Sequence, residues 1–214
     1  MRKKPIFTLS IIGLTLPLML GGCVSLLPKP GKPPLVAPFS AAKNISIREN
    51  IGKSIIVDAP LMPRSLATNE IMVNLPDGSL AYVDGLNLIA PAPKAIQNLL
   101  IETFDKSLAF KLVGRETTTL RADYFLAIDV TRFDVTEPGW RKPGHANVTI
   151  SARLINYYDR TAIANKVFEI DTIAKKGSAI EPAIALQNAT QIAADQILDW
   201  VLEQNQSKEA SASK

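Results

Sequence analysis

The stretch that decides the fold is Ala146-Asn147-Val148-Thr149-Ile150-Ser151-Ala152-Arg153-Leu154-Ile155. Ala146, Val148, Ile150, Ala152 and Leu154 fall on one side of an extended chain, and Asn147, Thr149, Ser151 and Arg153 on the other. A period of two predicts a β-strand with one buried and one wet face. Its neighbours repeat the pattern. Residues 122–135 put Tyr124, Leu126, Ile128 and Val130 on one face. Phe133 and Val135 then fall on the other parity, which places a bulge near Thr131. Beyond Tyr158-Asp159-Arg160-Thr161, residues 162–172 turn Phe168 and Ile170 inward. Three alternating strands joined by short turns predict an antiparallel meander.

Helical spacing flanks the meander. Residues 91–110 carry Ile96, Leu99, Leu100, Phe104 and Leu108, with proline in the first turn, where its missing amide costs nothing. Lys94, Gln97, Glu102 and Asp105 fall between them. After the meander, Ser178 and Glu181 form a capping-box pattern, and Leu186, Ala189, Ala193, Ile197, Trp200 and Val201 share one face. The alanines let that helix approach a sheet closely, and Trp200 seals its far end. Upstream, residues 53–58 read as a first strand. Residues 70–75 and 80–83 read as a hairpin around Pro76-Asp77-Gly78, with Asp84-Gly85 ending it. Lys111-Leu112-Val113 is a further short strand. The expected fold is α+β: a mainly antiparallel sheet with two helices packed on one face.

The chain opens differently. Arg2, Lys3 and Lys4 precede an apolar run from Ile6 to Leu20, which closes on Leu20-Gly21-Gly22-Cys23. A basic start, a short apolar run and small residues before a cleavage point mark a secretory signal. The run of about 15 residues is short for a membrane span, which needs roughly 20. Leu-Gly-Gly-Cys resembles the lipobox of bacterial lipoproteins. That likeness implies cleavage after Gly22 and acylation of Cys23, with palmitate among the acyl groups. Val24 follows instead of the aspartate that favours inner-membrane retention in enteric lipoproteins, which points to the outer membrane. The proline-rich residues 24–44 cannot be helical and favour polyproline II. They either form a semi-rigid spacer or pack along the domain around Leu35, Val36 and Phe39. The resulting division is a signal peptide at 1–22, an anchor and tether at 23–50, a domain at 51–204 and a disordered tail at 205–214.

Composition narrows the function. Formal charge is +4, but Arg2, Lys3 and Lys4 belong to the signal. Without them 21 basic residues face 20 acidic ones, which gives no argument for nucleic-acid binding. Cys23 is the only cysteine and His145 the only histidine. A multi-histidine metal site and a cysteine nucleophile are therefore excluded. No phosphate loop, nucleophile elbow or zinc-protease motif occurs, and no cofactor is implied. Asp129 and Asp134, five apart on one strand, are expected on opposite faces as solvated residues. His145 is expected at the surface beside Gly144. These features point away from an enzyme. The loop Thr136-Glu137-Pro138-Gly139-Trp140-Arg141-Lys142-Pro143-Gly144-His145 stands out. Trp140 and Arg141 are residue types that bury much area at interfaces, so they are candidates for contact with a partner or a membrane. The alternative is that Trp140 folds back over the sheet edge.

With these elements placed, residues 50–204 resemble the ABC-type transport auxiliary lipoproteins, accessory components of MCE-type lipid transport systems. The likeness rests on several segments in order. Ile55-Ile56-Val57 is followed by proline, and Ile96-Gln97-Asn98-Leu99-Leu100 leads into Leu108-Ala109-Phe110. Next come Ala122-Asp123-Tyr124-Phe125-Leu126, then Ala152-Arg153-Leu154-Ile155, and last an alanine-rich helix ending in Asp199-Trp200-Val201. A Tyr-x-x-Trp-like segment often precedes the first helix in that family. Here the region reads Leu86-Asn87-Leu88-Ile89-Ala90-Pro91, so no contact surface is carried over from it. The resemblance implies a non-enzymatic lipoprotein, lipid-anchored in the outer membrane and facing the periplasm. It would work with an ABC permease, its ATPase and an MCE-domain protein that carries phospholipid, and homo-oligomerisation stays open. The alternatives are a lipid- or glycolipid-binding carrier and an envelope-assembly lipoprotein. Replacing the sole thiol tests the anchor: Cys23→Ser is expected to leave a precursor that incorporates no labelled palmitate, and label in that variant would refute acylation at Cys23.

Overall fold

The computed structural model describes residues 33–116, 121–137 and 143–212. In chain order the described elements are β1 (Leu35–Ala37), β2 (Ser54–Val57), β3 (Glu70–Asn74), β4 (Leu80–Leu88), α1 (Ala92–Lys106), β5 (Leu112–Gly114), β6 (Tyr124–Thr136), β7 (Gly144–Asn156), β8 (Ala162–Ala174) and α2 (Glu181–Ala212).

The meander is present as expected. β6 pairs antiparallel with β7, and β7 with β8. The register of β6 on β7 shifts between Val130 and Arg132, which is the bulge placed at Thr131. The shift returns Phe133 and Val135 to the face that Tyr124, Leu126, Ile128 and Val130 already share, and all six are buried. Ala146, Val148, Ile150, Ala152 and Leu154 oppose them from β7 with no exposed surface.

The other half of the sheet corrects the expectation of a mainly antiparallel arrangement. The second edge of β6 is taken by two strands end to end. β2 runs parallel to its first half (Ile55 opposite Tyr124), and β3 runs parallel to its second half (Met72 opposite Asp134). Between them Leu61 bridges to Asp129, and its amide donates to the Ile128 carbonyl at 2.9 Å. Pro60 and Pro63, which cannot donate to a ladder, fall where this pairing is interrupted. β5 adds parallel to β2, β4 adds antiparallel to β3, and β1 adds parallel to β4. The eight-stranded sheet is therefore mixed. Alternation reports which face a residue occupies. It does not report the direction of the partner strand, which here is set by contacts distant in sequence. β4 also runs past Asp84-Gly85 to Leu88, because Gly85 at φ 66° lets the strand bulge and continue.

Both helices cover one face. α1 buries Ala95, Ile96, Leu99, Leu100 and Phe104. Its Gln97, expected on the polar side, is buried instead. The Gln97 amide donates to the Val57 carbonyl at 3.1 Å, where β2 ends. The helix stops before Leu108. The Ser107 hydroxyl donates to the Phe104 carbonyl at 2.6 Å, and Leu108 turns outward at φ 57°. On α2, Leu186, Ala189, Ala193, Ile197, Trp200 and Val201 are all buried, and Trp200 meets Phe168 edge to face at 6.0 Å. The Ser178 hydroxyl accepts from the Ile180 amide at 3.4 Å, while the Glu181 amide donates to the Ser178 carbonyl. The start of α2 is thus closed by Ser178, in a different pattern from a capping box. At its other end α2 continues through the residues expected to form a disordered tail. Asn205 is buried and accepts from the Tyr124 hydroxyl at 2.6 Å. The residues beyond extend a helix already nucleated by packing, which adds bonds without a new nucleation cost.

The packed body also begins earlier than residue 51. Residues 33–51 run across the two helices as a strap, so of the two alternatives for the proline-rich stretch, packing holds from Pro33 on. Ala37 and Phe39 are buried, and Phe39 lies edge to face on Phe133 at 5.9 Å, whereas Leu35 and Val36 are exposed. The Gln191 amide donates to the Ser40 carbonyl at 2.8 Å, and the Ala41 amide to Glu102 at 3.0 Å. The Arg48 guanidinium donates to Asp199 at 2.9 Å and to Asp195 at 3.2 Å, while the Arg48 amide donates to the Ser107 carbonyl. The Asp199 bond holds the Arg48 pKa above its ordinary value despite the opposing cost of burial.

Phe39→Ala is expected to cost about 3 kcal/mol in urea unfolding, the range for a buried aromatic. An unchanged midpoint would show the strap to be dispensable. A second expectation concerns pH. Burial pushes the Glu102 carboxyl up, but the Lys106 hydrogen bond, the Ala41 amide and the Lys106 charge outweigh it, so its pKa is lowered. A lowered folded pKa means that the carboxylate stabilises the fold above its unfolded pKa, and that this contribution is lost as pH falls through the folded one. Glu102 is more than a third exposed, so the effect is discounted to about 0.5 kcal/mol. Glu102→Gln should lower the thermal midpoint slightly at neutral pH and leave it unchanged in strong acid.

Candidate functional site: a cleft at the end of the sheet

The second half of β6, the start of β7 and the end of β8 meet at one end of the sheet, since Thr136 opposes His145 and Gly144 opposes Ala174. The β3–β4 hairpin reaches the same end, where Asn74 pairs with Leu80 and lies beside Thr136. Its turn is tied by the Asp77 carboxylate. That group accepts from the Ser79 hydroxyl at 2.6 Å and the Ser79 amide at 2.9 Å, and these bonds hold its pKa below the usual range. Gly78, at φ 82°, supplies the left-handed backbone of the turn. α2 begins here as well. Its first turn does not close over the hairpin, and a cleft of about 310 Å³ is left. Val73, Ala81, Val83, Val135, Ala174 and Pro182 line it with apolar surface. Lys175, Lys176 and Glu137 are its charged lining residues. Such a mostly apolar recess with a few charged groups in its lining has the form of a ligand site, and its volume lies near the lower bound of about 300 Å³ for such sites.

The residues singled out from sequence are distributed as follows. Cys23, Gly22, Trp140 and Arg141 lie outside the described residues. The loop that carries Trp140 and Arg141 nevertheless leaves the described body at Glu137 and returns near Gly144, and both of those residues line the cleft. His145 is exposed on β7, with Nδ1 at 2.7 Å from Asp171. Asp129 and Asp134 do not point to opposite faces. The bulge at Thr131 shifts the parity, so they oppose Ser151 and Asn147 on the same outer face. Asp129 pairs with Arg153 at 2.6 Å. Asp134 is buried rather than solvated. It accepts from Arg132 at 3.1 Å and from the Asn74 amide, which joins β3 to β6. Both carboxylates are thus engaged in holding strands together. Among the described residues no three His, Cys, Asp or Glu side chains gather as a metal site.

The cleft itself was not foreseen. Lys175 and Lys176 follow directly on the last strand of the meander, and in a meander the end of the third strand returns beside the loop between the first two. That relation is the signal that places them at the end of the sheet where β6 stops and β7 starts. Val73, Ala81 and Val83 could not have been added by the same argument, because the parallel pairing of β3 with β6 brings them there.

Among the described residues no helix is long and apolar enough to cross a membrane. The model of the family described as ABC-type transport auxiliary lipoprotein component matches residues 37–198. Among solved structures the chain is similar to protein XCC0632 from Xanthomonas campestris, of family DUF330. Identity is 20%, the TM-score is 0.72, and the match covers 82% of this chain and 99% of that one. It is also similar to a protein described only as uncharacterized, at 15% identity and a TM-score of 0.59, over 74% of this chain and 99% of that one. No curated protein matches. At these identities the structural likeness shows a common fold. The family match spans most of the chain and includes strands β2 to β8, all of α1 and the first half of α2, so the chain belongs to the ABC-type transport auxiliary lipoprotein family.

Proposed function

We propose that this chain is the docking lipoprotein of an MCE-type intermembrane phospholipid transport system. Acyl groups on Cys23, added as the signal is cut after Gly22, hold it on the periplasmic side of the outer membrane. Its role is non-catalytic. An ABC permease with its ATPase supplies the energy, an MCE-domain protein carries the phospholipid, and this domain holds the assembly at the membrane. The observation that carries this reading is the family match from residue 37, which begins shortly after the lipobox-like Cys23.

The early start of the packed body sharpens the geometry. About ten residues separate Cys23 from Pro33, and even fully extended they reach only about 35 Å. A tether of the whole stretch 24–44 would reach roughly twice as far at about 3.1 Å per residue. The domain therefore works close to the surface that holds it. Two or more acyl chains suffice for such stable attachment, since each buried methylene contributes about 0.8 kcal/mol.

Affinity purification of the tagged lipoprotein from its native locus in mild detergent, read by mass spectrometry, is expected to return an ABC permease, its ATPase and an MCE-domain protein together. Recovery of only peptidoglycan or outer-membrane barrel proteins would overturn the transport role in favour of envelope assembly.

A further inference from the structure

We propose that the outer edge of β8 takes an extended segment of a partner protein, added as a further strand, in which aliphatic residues alternate with lysine or arginine. Its use in transport rests on the docking role proposed above; the pairing itself does not.

The backbone supplies the first argument. β8 pairs with β7 on one edge, and among the described residues no strand lies on the other. The other two outer strands, β1 and β5, have three residues each and are too short to template much pairing. β8 has 13 residues with neither proline nor glycine. Its register irregularity falls at its start, where Leu154 and Ile155 meet Ala164 and Ala162. An unpaired ladder edge presents N–H and C=O groups at a repeat that another extended backbone matches, so its ligand is a polypeptide strand. Lys166 narrows the open stretch. It lies opposite Ala152, on the face that the helices cover, with its ammonium 5.3 Å over the Phe168 ring. An inward charge of this kind discourages pairing beside it, which leaves the stretch from Phe168 to Ile173.

The side chains of that stretch describe the occupant. Phe168 and Ile170 stand opposite Ile150 and Val148 on the helix-covered face, and Ile170 is only half-buried. An aliphatic side chain added beside Ile170 completes its burial. Glu169 and Asp171 stand opposite Thr149 and Asn147 on the outer face, and both are exposed. Among the described residues no cation pairs with Glu169, and Asp171 has only His145, at 2.7 Å. Arg153, the arginine of β7 on this face, is engaged by Asp129. The incoming strand therefore needs cations at the positions that alternate with its aliphatic ones. A second copy of this chain does not supply them. Full antiparallel overlap of two β8 strands sets Lys166 opposite Ile170 and Asp171 opposite Asn165. It also sets Glu169 opposite Val167, which brings the two Glu169 carboxylates to diagonal positions.

The test uses the full-length lipoprotein in detergent micelles and a blocked peptide of about nine residues that alternates lysine with valine, long enough to span the open stretch. Fluorescence anisotropy reads the binding, and hydrogen–deuterium exchange reads its place. Amides of β8 are expected to exchange at least roughly fivefold more slowly with the peptide bound, with no comparable change in β1 or β5. A peptide of the same composition with its lysines grouped together, or one with alternate backbone amides methylated, should bind roughly tenfold more weakly. Glu169→Lys with Asp171→Lys, at unchanged circular dichroism, should lose roughly tenfold in affinity for the lysine peptide and gain affinity for one that alternates glutamate with valine. Equal binding of the grouped or methylated peptide, protection outside β8, indifference to the charge reversal, or β8 protection that grows with protein concentration in the absence of peptide would each overturn the proposal. Copurification of a transporter with the double variant as efficiently as with the native chain refutes the edge as the docking surface and leaves the docking role intact. Peptide binding as expected, with no transporter copurifying with the native chain, upholds the edge and refutes the transport role alone.

Discussion

Both edges of β6 must be hydrogen-bonded along 13 residues in the middle of the sheet, and the rest of the fold follows from that demand. β7 satisfies one edge through a local hairpin. The other edge is satisfied by residues 54–74, which run alongside β6 as β2, then the Leu61 bridge, then β3. Because this segment is parallel to β6, it cannot be joined to it by a tight turn. The chain needs a crossover, and α1 is the helix that leads from β4 to β5 and so back to β2. The bulge at Thr131 completes the arrangement. Without its change of parity, Phe133 and Val135 would face solvent, and Asp134 would face the helices.

The layer above the sheet is thin where it has to be. Ala183, Ala185, Ala189, Ala193 and Ala194 of α2 are buried with almost no exposed surface, so the helix axis lies close to β7 and β8. Small residues on one helix leave the larger apolar side chains to the sheet, and Trp200 closes the gap over Phe168 in the middle of β8. The strap at residues 33–51 then covers what the helices leave open. Its backbone has few partners of its own in the sheet, so side chains from α1 and α2 provide them: Glu102, Gln187 and Gln191 bond to its amides and carbonyls. Arg48 adds a charged link to the far half of α2.

The local elements of this fold were legible in the sequence, and their mutual directions were not. Alternation in β6, β7 and β8 names the buried residues one by one, and the broken parity after Val130 locates the bulge to within a residue. The helix spacing is equally direct, because period 3.6 is a property of one segment. Parallel pairing of β2 and β3 leaves no trace in either strand's own pattern, so the mixed sheet could not be read. Gln97 and Asp134 were misplaced for a related reason. A polar side chain is buried when another segment offers it a partner, and the Val57 carbonyl and the Asn74 amide come from strands far away in sequence. At the cleft, the two lysines sit next to a strand whose course was foreseen, whereas Val73 and Val83 arrive through the pairing that was not.

Sheet register brings distant parts of the chain to the cleft end. Lys175 and Lys176 follow β8, and Leu80 and Tyr82 start β4. They meet there because β4 pairs with β3, and β3 parallels the half of β6 whose end faces the start of β7 and the end of β8. The opposite end of the meander carries a different surface. There Arg160 lies 5.0 Å over the Tyr157 ring and 5.7 Å over Phe125, and Tyr158 is exposed. Arg160 thus packs the turn against β6 at that end, while strand pairing of β6, β7 and β8 builds the cleft end.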